Sequence, residues 1–242
     1  MIVLILGATS DIAQAIAHLH AAKGDHLILA GRKEELLKPI QSDLCIRYKA
    51  TVDIQSFDAR LIDQHQSFYH TLSPKPDLVY CVFGNLFDQK EAEQNWGVAV
   101  QMLEVNFLGA TSILHHVAKD FEQRKRGTIV GISSVAGDRG RGSNYYYGSA
   151  KAGFTAYLSG LRNRLSQSDV HVLTVKPGYV RTAMTQGMEL PAPLTAEPQA
   201  VAKAIFRAVE KKKNVLYVKG IWRWIMWVIR MIPESIFKRL SL

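Results

Sequence analysis

Residues 2–12 read Ile2-Val3-Leu4-Ile5-Leu6-Gly7-Ala8-Thr9-Ser10-Asp11-Ile12, an apolar run that ends in a glycine turn. A short apolar run bounded by a turn signal predicts a strand that is buried on both faces. The helix-like residues that follow would place a helix N-terminus beside the turn, which is a natural cradle for a pyrophosphate. The candidate residues for binding such a group are Gly7, Thr9, Ser10, Asp11 and Ile12. The alternative is a structural turn that Ser10 or Asp11 caps.

Strand-like and helix-like segments alternate along most of the chain. The predicted strands are 2–6, 26–30, 44–49, 77–82, 127–133, 170–176 and 214–218. The predicted helices are about 11–23, 33–42, 54–71, 91–120, 145–166 and 197–211. Such alternation predicts a parallel sheet with helices on both faces. We therefore expect a single doubly wound, Rossmann-like α/β domain over 1–218, with a seven-stranded parallel sheet, and a C-terminal amphipathic helical tail over 219–242.

The composition is that of an ordinary globular protein. Of the 242 residues, 48% are hydrophobic and 21% are charged, which excludes disordered, collagenous and coiled-coil chains. The two cysteines, Cys45 and Cys81, are too few for a disulfide framework or a zinc site, so we expect no metal. The first residues lack the basic region and long apolar stretch of a secretory signal, which predicts a cytoplasmic protein.

The net charge of +9 is unevenly distributed. Segment 211–242 carries eight basic residues and one acidic residue, a net charge of +7, so the first 210 residues are nearly neutral at +2. A basic protein can be a nucleic-acid binder. Here the excess is confined to the end of the chain and interleaved with Trp, Ile and Met, which argues against a nucleic-acid partner.

The second predicted strand is followed by Ala30-Gly31-Arg32-Lys33. A site that prefers NAD usually has an acidic residue here for the ribose 2′-hydroxyl. Arg32 and Lys33 could instead pair with a 2′-phosphate, so the sequence favours NADP(H) over NAD(H). The alternative is a solvated basic pair at the start of a helix.

Tyr147-Gly148-Ser149-Ala150-Lys151 places a phenol and an ammonium one helical turn apart. A cation so placed would favour phenolate and lower the tyrosine pKa, and such a tyrosine can act as a general acid towards an alkoxide. Ser134 ends an apolar strand upstream, where its hydroxyl could hold a substrate oxygen. Asn106 interrupts an apolar helix and needs hydrogen-bond partners if it is buried; it is either a satisfied core amide or part of a relay with the other three.

The chain resembles the short-chain dehydrogenase/reductase family over roughly residues 1–218. The family's active-site asparagine, serine, tyrosine and lysine fall on Asn106, Ser134, Tyr147 and Lys151, at intervals of 28, 13 and 4 residues. The resemblance implies that these residues are catalytic and that Tyr147 and Lys151 also contact the cofactor. Among its other implied cofactor contacts are Gly84, Pro177, Gly178, Val180 and Thr182, with the last two beside the nicotinamide, and Asp53 beside the adenine.

Two segments depart from the family pattern. Asp11 and Ala13 replace its second and third glycines, and Cys81-Val82-Phe83-Gly84 keeps only the last residue of the usual Asn-Asn-Ala-Gly. Asp11 would place a carboxylate near the expected pyrophosphate, which is unfavourable unless the side chain caps the helix or points away.

Within the family, the chain is similar to the reductases of decaprenylphosphoryl-ribose 2′-epimerase systems. The similarity includes Gly84-Asn85-Leu86, residues 133–139, residues 181–184 and residues 232–240. It implies reduction of a keto group on a polyprenylphosphate-linked sugar. Two alternatives remain: a soluble carbonyl reductase or alcohol dehydrogenase for small substrates, and a dinucleotide-binding scaffold without chemistry.

The segment 221–239 has the composition of an amphipathic helix. Between Gly220 and Pro233, ten of twelve residues are apolar, and Arg223 and Arg230 share one helical edge. The segment is too short to cross a bilayer, but its tryptophans and basic flanks suit a membrane interface. The alternative is a helix that packs on a second subunit or covers the substrate cleft.

Three arginines, Arg139, Arg141 and Arg181, lie on predicted loops near the expected cleft. They could hold a substrate phosphate with bidentate hydrogen bonds, or they could be solvated surface residues. The family resemblance also implies a homodimer or a homotetramer.

Overall fold

Seven parallel strands form the central sheet, which confirms the predicted architecture. The computed structural model describes residues 1–240, so the last two residues of the predicted tail lie outside the described residues. The strands are β1 Ile2–Leu6, β2 His26–Gly31, β3 Val52–Ser56, β4 Leu78–Cys81, β5 Gly127–Ile132, β6 Val170–Pro177, β7 Tyr179–Val180, β8 Thr195–Ala196 and β9 Val215–Val218. Strands β7 and β8 pair with each other outside the main sheet.

Helices cover both faces of the sheet. They are α1 Asp11–Ala22, α2 Glu34–Tyr48, α3 His65–Thr71, α4 Gln89–Gln94, α5 Trp96–Leu103, α6 Ala110–Arg124, α7 Tyr145–Leu165, α8 Pro198–Glu210, α9 Ile221–Met231 and α10 Glu234–Phe237. Helices α1, α2 and α8 pack on one face, and α3, α6 and α7 pack on the other. Strand β1 is apolar throughout because Val3 and Ile5 face the first layer while Leu4 and Leu6 face the second.

The prediction of a strand at 44–49 is wrong. These residues belong mostly to the last turns of α2, which ends at Tyr48 with Lys49 in the left-handed conformation, at φ 53°. Leu37 and Leu44 lie seven residues apart in this helix, and both are fully buried against the sheet. The third strand is Val52–Ser56, an edge strand whose last two residues are exposed.

A continuous helical stretch over Trp96–Arg124 has the length and hydropathy of a membrane span. Its C-terminal part, α6, places Ile113, Leu114 and Val117 against the sheet with no exposed surface. Core packing therefore accounts for the apolar character of this face of the helix.

Across the main sheet the strand order is β3-β2-β1-β4-β5-β6-β9. Strands β1 and β4 are neighbours, with Leu6 paired beside Cys81, and the direction in which successive strands are added reverses between them. After Gly7 the chain leads to α1 on one face of the sheet, and after Gly84 it leads towards α6 on the other face. In doubly wound sheets, ligands bind in the crevice at this switch point.

The C-terminal segment folds back onto the domain through α9. Trp222 and Met226 are buried and pack with Val135, which follows β5. The opposite side of α9 carries Trp224 and Trp227, both of which are exposed. The helix thus has an apolar inner face in contact with the domain and an apolar outer face in solvent.

Candidate active site

The glycine turn after β1 requires a residue without a side chain. Gly7 has φ +84°, and a Cβ atom there would lie 2.6 Å from the backbone nitrogen of Phe83. Ser10 is the N-cap of α1 and accepts a hydrogen bond from Ala13 N at 3.3 Å. The turn therefore meets the loop after β4 closely and presents the start of α1 to the crevice.

Asp11 does not point freely into the crevice. Its Oδ2 atom accepts a hydrogen bond from the backbone N–H of Ala183 at 2.9 Å. The carboxylate thus joins the start of α1 to the segment 181–190. This partner explains how an acidic residue is accommodated where the family pattern has a glycine.

A cavity of about 530 Å³ opens at the carboxyl edge of the sheet. It brings together many of the residues singled out in the sequence: Thr9, Ser10, Asp11, Ile12, Gly84, Ser134, Arg141, Tyr147, Lys151, Pro177, Gly178, Val180 and Thr182. Gly7 does not itself line the cavity, but it lies against Phe83, which does. The close approach at Gly7 and the start of α1, which lines the cavity, fit a bound dinucleotide, whose pyrophosphate such an arrangement accommodates.

Ser134, Tyr147 and Lys151 line the same part of the cavity. The Ser134 hydroxyl lies close enough to the half-buried Tyr147 side chain to lower the pKa of its phenol. Lys151 lies one turn further along α7, with Nζ 5.7 Å from the centroid of the tyrosine ring. Its ammonium donates to the backbone oxygen of Ile132 at 3.0 Å, so β5 holds the lysine in place.

The expectation that Lys151 lowers the Tyr147 pKa is wrong. Burial raises the Tyr147 pKa to about 12, and the Ser134 hydroxyl opposes this only in part. Burial also lowers the Lys151 pKa to about 8. Removal from water disfavours both charged forms, and the lysine ammonium is directed at a carbonyl oxygen rather than at the phenol.

Asn106 lies in a π-helical turn, Glu104–Gly109, between α5 and α6. Its Nδ2 atom donates to the backbone oxygen of Asn85 at 2.8 Å, to Asn85 Oδ1 at 2.7 Å and to Met102 O at 2.9 Å. A Cβ atom on Gly84 would lie 2.7 Å from Asn106 Oδ1 and 3.5 Å from Lys151 Nζ. Gly84 therefore allows the asparagine and the lysine to approach each other. π-Helical turns often occur at functional sites.

The structure does not bring Asp53 to the cavity. Asp53 is the second residue of β3, and its carboxylate is 2.7 Å from His26 Nε2 at the start of β2. The residue therefore lies towards the amino edge of the sheet, away from the crevice. The acidic residue beyond the carboxyl end of β3 is Asp58, which the sequence analysis missed because it placed the strand too early.

Arg139 does not face a substrate phosphate, contrary to the first of the two sequence interpretations. Its guanidinium donates to the carbonyl oxygens of Ile229 and Ile232, both at 2.6 Å, and to Glu234 Oε2 at 2.8 Å. It also lies 3.7 Å from the centroid of the Phe237 ring. All of these hydrogen bonds are made to residues of the C-terminal segment.

Arg181 and Arg141 have different environments. Arg181 is exposed, pairs with Glu197 at 3.0 Å, and lines a separate cavity of about 930 Å³ on the other side of segment 181–190. Arg141 lines the site cavity, and its buried Nε atom has no hydrogen-bond partner within residues 1–240. Of the three arginines, Arg141 alone lines the site cavity.

Arg32 follows the carboxyl end of β2 and is exposed. It makes no ion pair with any residue of the described range 1–240. Asn144 and Trp222 also line the cavity, and Asn85 is hydrogen-bonded to Asn106; none of these three was expected as a site residue from the sequence. Asn85 had a local signal, because it directly follows Gly84. Trp222 had none, because its place depends on how the C-terminal segment folds back.

Residues 1–191 match the short chain dehydrogenase family. An uncharacterized oxidoreductase of Mycobacterium tuberculosis strain H37Rv is 34% identical over 241 residues, which cover 98% of this chain and 96% of the relative.

Solved structures show the same fold. A short-chain dehydrogenase from Sphingobium yanoikuyae in complex with NADPH matches with a TM-score of 0.81 and 22% identity over 97% of each chain. A short chain dehydrogenase from Burkholderia cenocepacia J2315 in complex with NADP matches with a TM-score of 0.84 and 17% identity, over 100% of this chain and 97% of that one. With its family match, its oxidoreductase relative and this fold, the chain belongs to the short-chain dehydrogenase family and is an NAD(P)-dependent oxidoreductase.

Proposed function

We propose that the protein reduces a carbonyl group to an alcohol, with Tyr147 as the proton donor. The observation that carries the proposal is that Ser134, Tyr147 and Lys151 line one cavity together with the start of α1. With a pKa of about 12, the phenol is protonated at neutral pH and is ready to donate. A bound nicotinamide supplies the hydride.

The other residues of the group support this proton transfer. Ser134 holds the carbonyl oxygen beside the phenol by donating a hydrogen bond to it. Lys151, which is mainly charged below its pKa of about 8, binds the ribose hydroxyls and stabilises the phenolate that remains after transfer. Asn106 positions a water behind Lys151, so that the proton is replaced from solvent.

A test of this mechanism measures NADPH oxidation with a panel of ketones, using the wild-type protein and Tyr147→Phe. We expect the variant to lose about 100-fold or more in kcat while it binds NADPH nearly as well as the wild type. Tyr146→Phe is the matched control, because it removes a neighbouring hydroxyl that does not line the cavity. Turnover by Tyr147→Phe at the wild-type rate would contradict the role of the tyrosine.

We also propose that NADP(H) is preferred over NAD(H) through Arg32. The support is the exposed arginine after β2, the absence of an acid there, and the NADPH and NADP complexes of the two solved structures. The ratio of kcat/KM for NADPH over NADH should fall about tenfold in Arg32→Ala, which corresponds to one lost charge-assisted hydrogen bond. An unchanged ratio would contradict the assignment.

For the substrate, we propose the keto group of a polyprenylphosphate-linked sugar. Arg141 lines the cavity and its Nε atom has no hydrogen-bond partner within residues 1–240, which supports phosphate binding; Tyr179, Met184 and Met188 form an exposed apolar rim that suits a hydrocarbon chain. The second candidate is a small ketone or alcohol, because a cavity of about 530 Å³ is large enough to bind one without a lipid. Comparing kcat/KM for a prenylphosphate-linked keto sugar with that for its lipid-free analogue distinguishes the two.

We further propose that residues 221–239 contact the cytoplasmic face of a membrane. The outer face of α9 carries exposed Trp224, Trp227 and Met231, with Arg223 and Arg230 beside them. This combination suits an anionic lipid interface. Co-sedimentation with phosphatidylglycerol vesicles should fall about tenfold in Trp224→Ser/Trp227→Ser, whereas the exposed-tryptophan control Trp96→Ser should bind normally. Equal binding by all three proteins would contradict the proposal.

The family resemblance further suggests a homodimer or a homotetramer, which analytical ultracentrifugation can test.

A further inference from the structure

Trp222, on the inner face of α9, forms part of the cavity wall. Its indole lies directly against Gly178: a Cβ atom at that glycine would be 2.0 Å from Trp222 Cε2. The indole N–H donates to Leu194 O at 3.1 Å, and the ring contacts Tyr179 edge to face, with centroids 5.6 Å apart. The side chain is therefore held in one orientation and is only 5% exposed.

Arg139 holds the helix that carries this tryptophan. Its guanidinium binds two carbonyl oxygens at the C-terminal end of α9, Ile229 O and Ile232 O, as well as the carboxylate of Glu234. The last carbonyl groups of a helix lack intrahelical partners, so an arginine there both satisfies them and fixes the end of the helix. The stacking of Arg139 on Phe237 adds a second attachment through α10.

The same loop connects this attachment to Ser134. The neighbouring residue Asp138 is buried, pairs with Lys176 of β6, and accepts a hydrogen bond from the hydroxyl of Tyr217 at 2.7 Å. Tyr217 belongs to β9, which directly precedes α9. The loop from Ser134 to Arg139 is thus fixed to both the strand and the helix that position Trp222.

From these contacts, we propose that Trp222 is a specificity-determining residue and that Arg139 is a positioning residue that holds it in the cavity wall. The inference rests on the proposed reductase function of the same cavity. Gly178 belongs to the segment expected beside the nicotinamide, so the indole limits the space for a substituent on the reacting carbonyl carbon. A rigid aromatic wall excludes bulky groups and packs against flat apolar ones.

The test compares kcat/KM for a small ketone, cyclohexanone, with that for a bulky one, benzophenone, using NADPH. In Trp222→Ala, the ratio of kcat/KM for benzophenone to kcat/KM for cyclohexanone (the bulky-to-small ratio) should rise about tenfold or more, as expected when a pocket wall is removed. Trp222→Phe, which keeps an aromatic ring on α9, should give a smaller rise in the same direction. Trp96→Ala, a tryptophan substitution outside the cavity, should leave the ratio unchanged.

Arg139→Met tests the positioning role, because it keeps much of the apolar stem and removes the donors. We expect faster hydrogen exchange in residues 221–232 and a rise in the bulky-to-small ratio. Arg139→Lys should raise the ratio less than Arg139→Met does but should not keep the wild-type value, since an ammonium cannot reproduce the planar fork of donors. The double variant Arg139→Met/Trp222→Ala should have the ratio of Trp222→Ala alone, because the arginine acts through the indole.

A ratio within twofold of the wild type in folded, active Trp222→Ala would overturn the specificity role. Independent, multiplicative effects in the double variant would overturn the positioning role. If the wild-type protein reduces no ketone, the proposed function itself fails. In that case, thermal-shift titration of the NADPH complex with the same two ketones tests the wall without turnover: tighter binding of benzophenone to Trp222→Ala is expected, and unchanged binding overturns the inference.

Discussion

Asp11 Oδ2 accepts a hydrogen bond from Ala183 N at 2.9 Å, which ties the first residue of α1 to a segment 172 residues further along the chain. Segment 181–190 separates the site cavity from the larger, more open one, and Asp11 lines both. The carboxylate therefore has two opposing effects: it holds the segment in place, and it puts a negative charge beside the start of α1, where a pyrophosphate is expected.

Two substitutions separate these effects. Asp11→Asn keeps an oxygen acceptor for Ala183 N but removes the charge, so it should bind NADPH about fivefold more tightly, equivalent to about 1 kcal/mol of relieved repulsion. Asp11→Ala removes both and should also make segment 181–190 more sensitive to limited proteolysis. Fluorescence titration with NADPH measures the effect of the charge on cofactor affinity. Equal dissociation constants for Asp11→Asn and the wild type would contradict it.

Gly7 and Gly24 provide a matched test of the close approach at the glycine turn. Both have positive φ, +84° and +79°, but a Cβ atom at Gly7 would meet the backbone of Phe83 whereas one at Gly24 would meet nothing within 4 Å. Gly24→Ala should cost about 1 kcal/mol in the free energy of unfolding, from backbone strain alone. Gly7→Ala should cost more and should also weaken NADPH binding. Urea denaturation of the two variants checks this, and equal costs would show that the contact with Phe83 is unimportant.

The sequence predicts the fold well where both faces of a segment are buried, because continuous apolar runs such as β1 have one simple interpretation. It fails at β3, an edge strand. There, Gln55 and Ser56 are exposed, so the true strand lacks the apolar run, whereas the end of α2 contains Leu44, Cys45 and Ile46 and imitates one. The helix is distinguished by the seven-residue spacing of Leu37 and Leu44, which places both on one buried face.

Local sequence motifs predict which residues come together in the site, but they do not predict what surrounds the arginines. Tyr147 and Lys151 are four residues apart in one helix, so their proximity is fixed by helix geometry. Arg139 contacts residues more than 90 positions later, and no pattern near it indicates that α9 folds back onto its loop. The Tyr147 pKa also depends on the burial of the completed cavity, which raises it more than Ser134 lowers it.

Asn106 offers a test of the hydrogen bonds in the π-helical turn. Its Nδ2 atom faces three oxygen atoms, two from Asn85 and one from Met102. Asn106→Asp would place a carboxylate oxygen among these acceptors and should cost more stability than Asn106→Ala, which we expect to lose about 1–3 kcal/mol. Asn85→Ala keeps its backbone carbonyl and should cost the least. Urea denaturation gives the order, and an Asp variant as stable as the Ala variant would contradict this assignment of the amide.

Lys151 should make the stability of the cofactor-free protein depend on pH. Burial lowers its pKa from 10.5 to about 8, so between these values the unfolded chain binds a proton that the folded protein does not. The contribution of Lys151 to the free energy of unfolding therefore rises with pH, by about 1 kcal/mol between pH 7 and pH 9. Above pH 10 the raised Tyr147 pKa acts in the opposite direction, because the unfolded chain then loses a proton that the folded protein keeps.

Replacing the lysine isolates its contribution. Lys151→Met should remove the rise between pH 7 and pH 9, whereas Lys203→Met, at an exposed position on α8, should keep it. Urea denaturation of the wild type and both variants at pH 7, 8 and 9, without cofactor, gives the comparison. Parallel pH curves for Lys151→Met and the wild type would mean that the ammonium keeps its ordinary pKa. The lysine would then be charged in the folded site throughout this range, and burial would not be what controls its protonation.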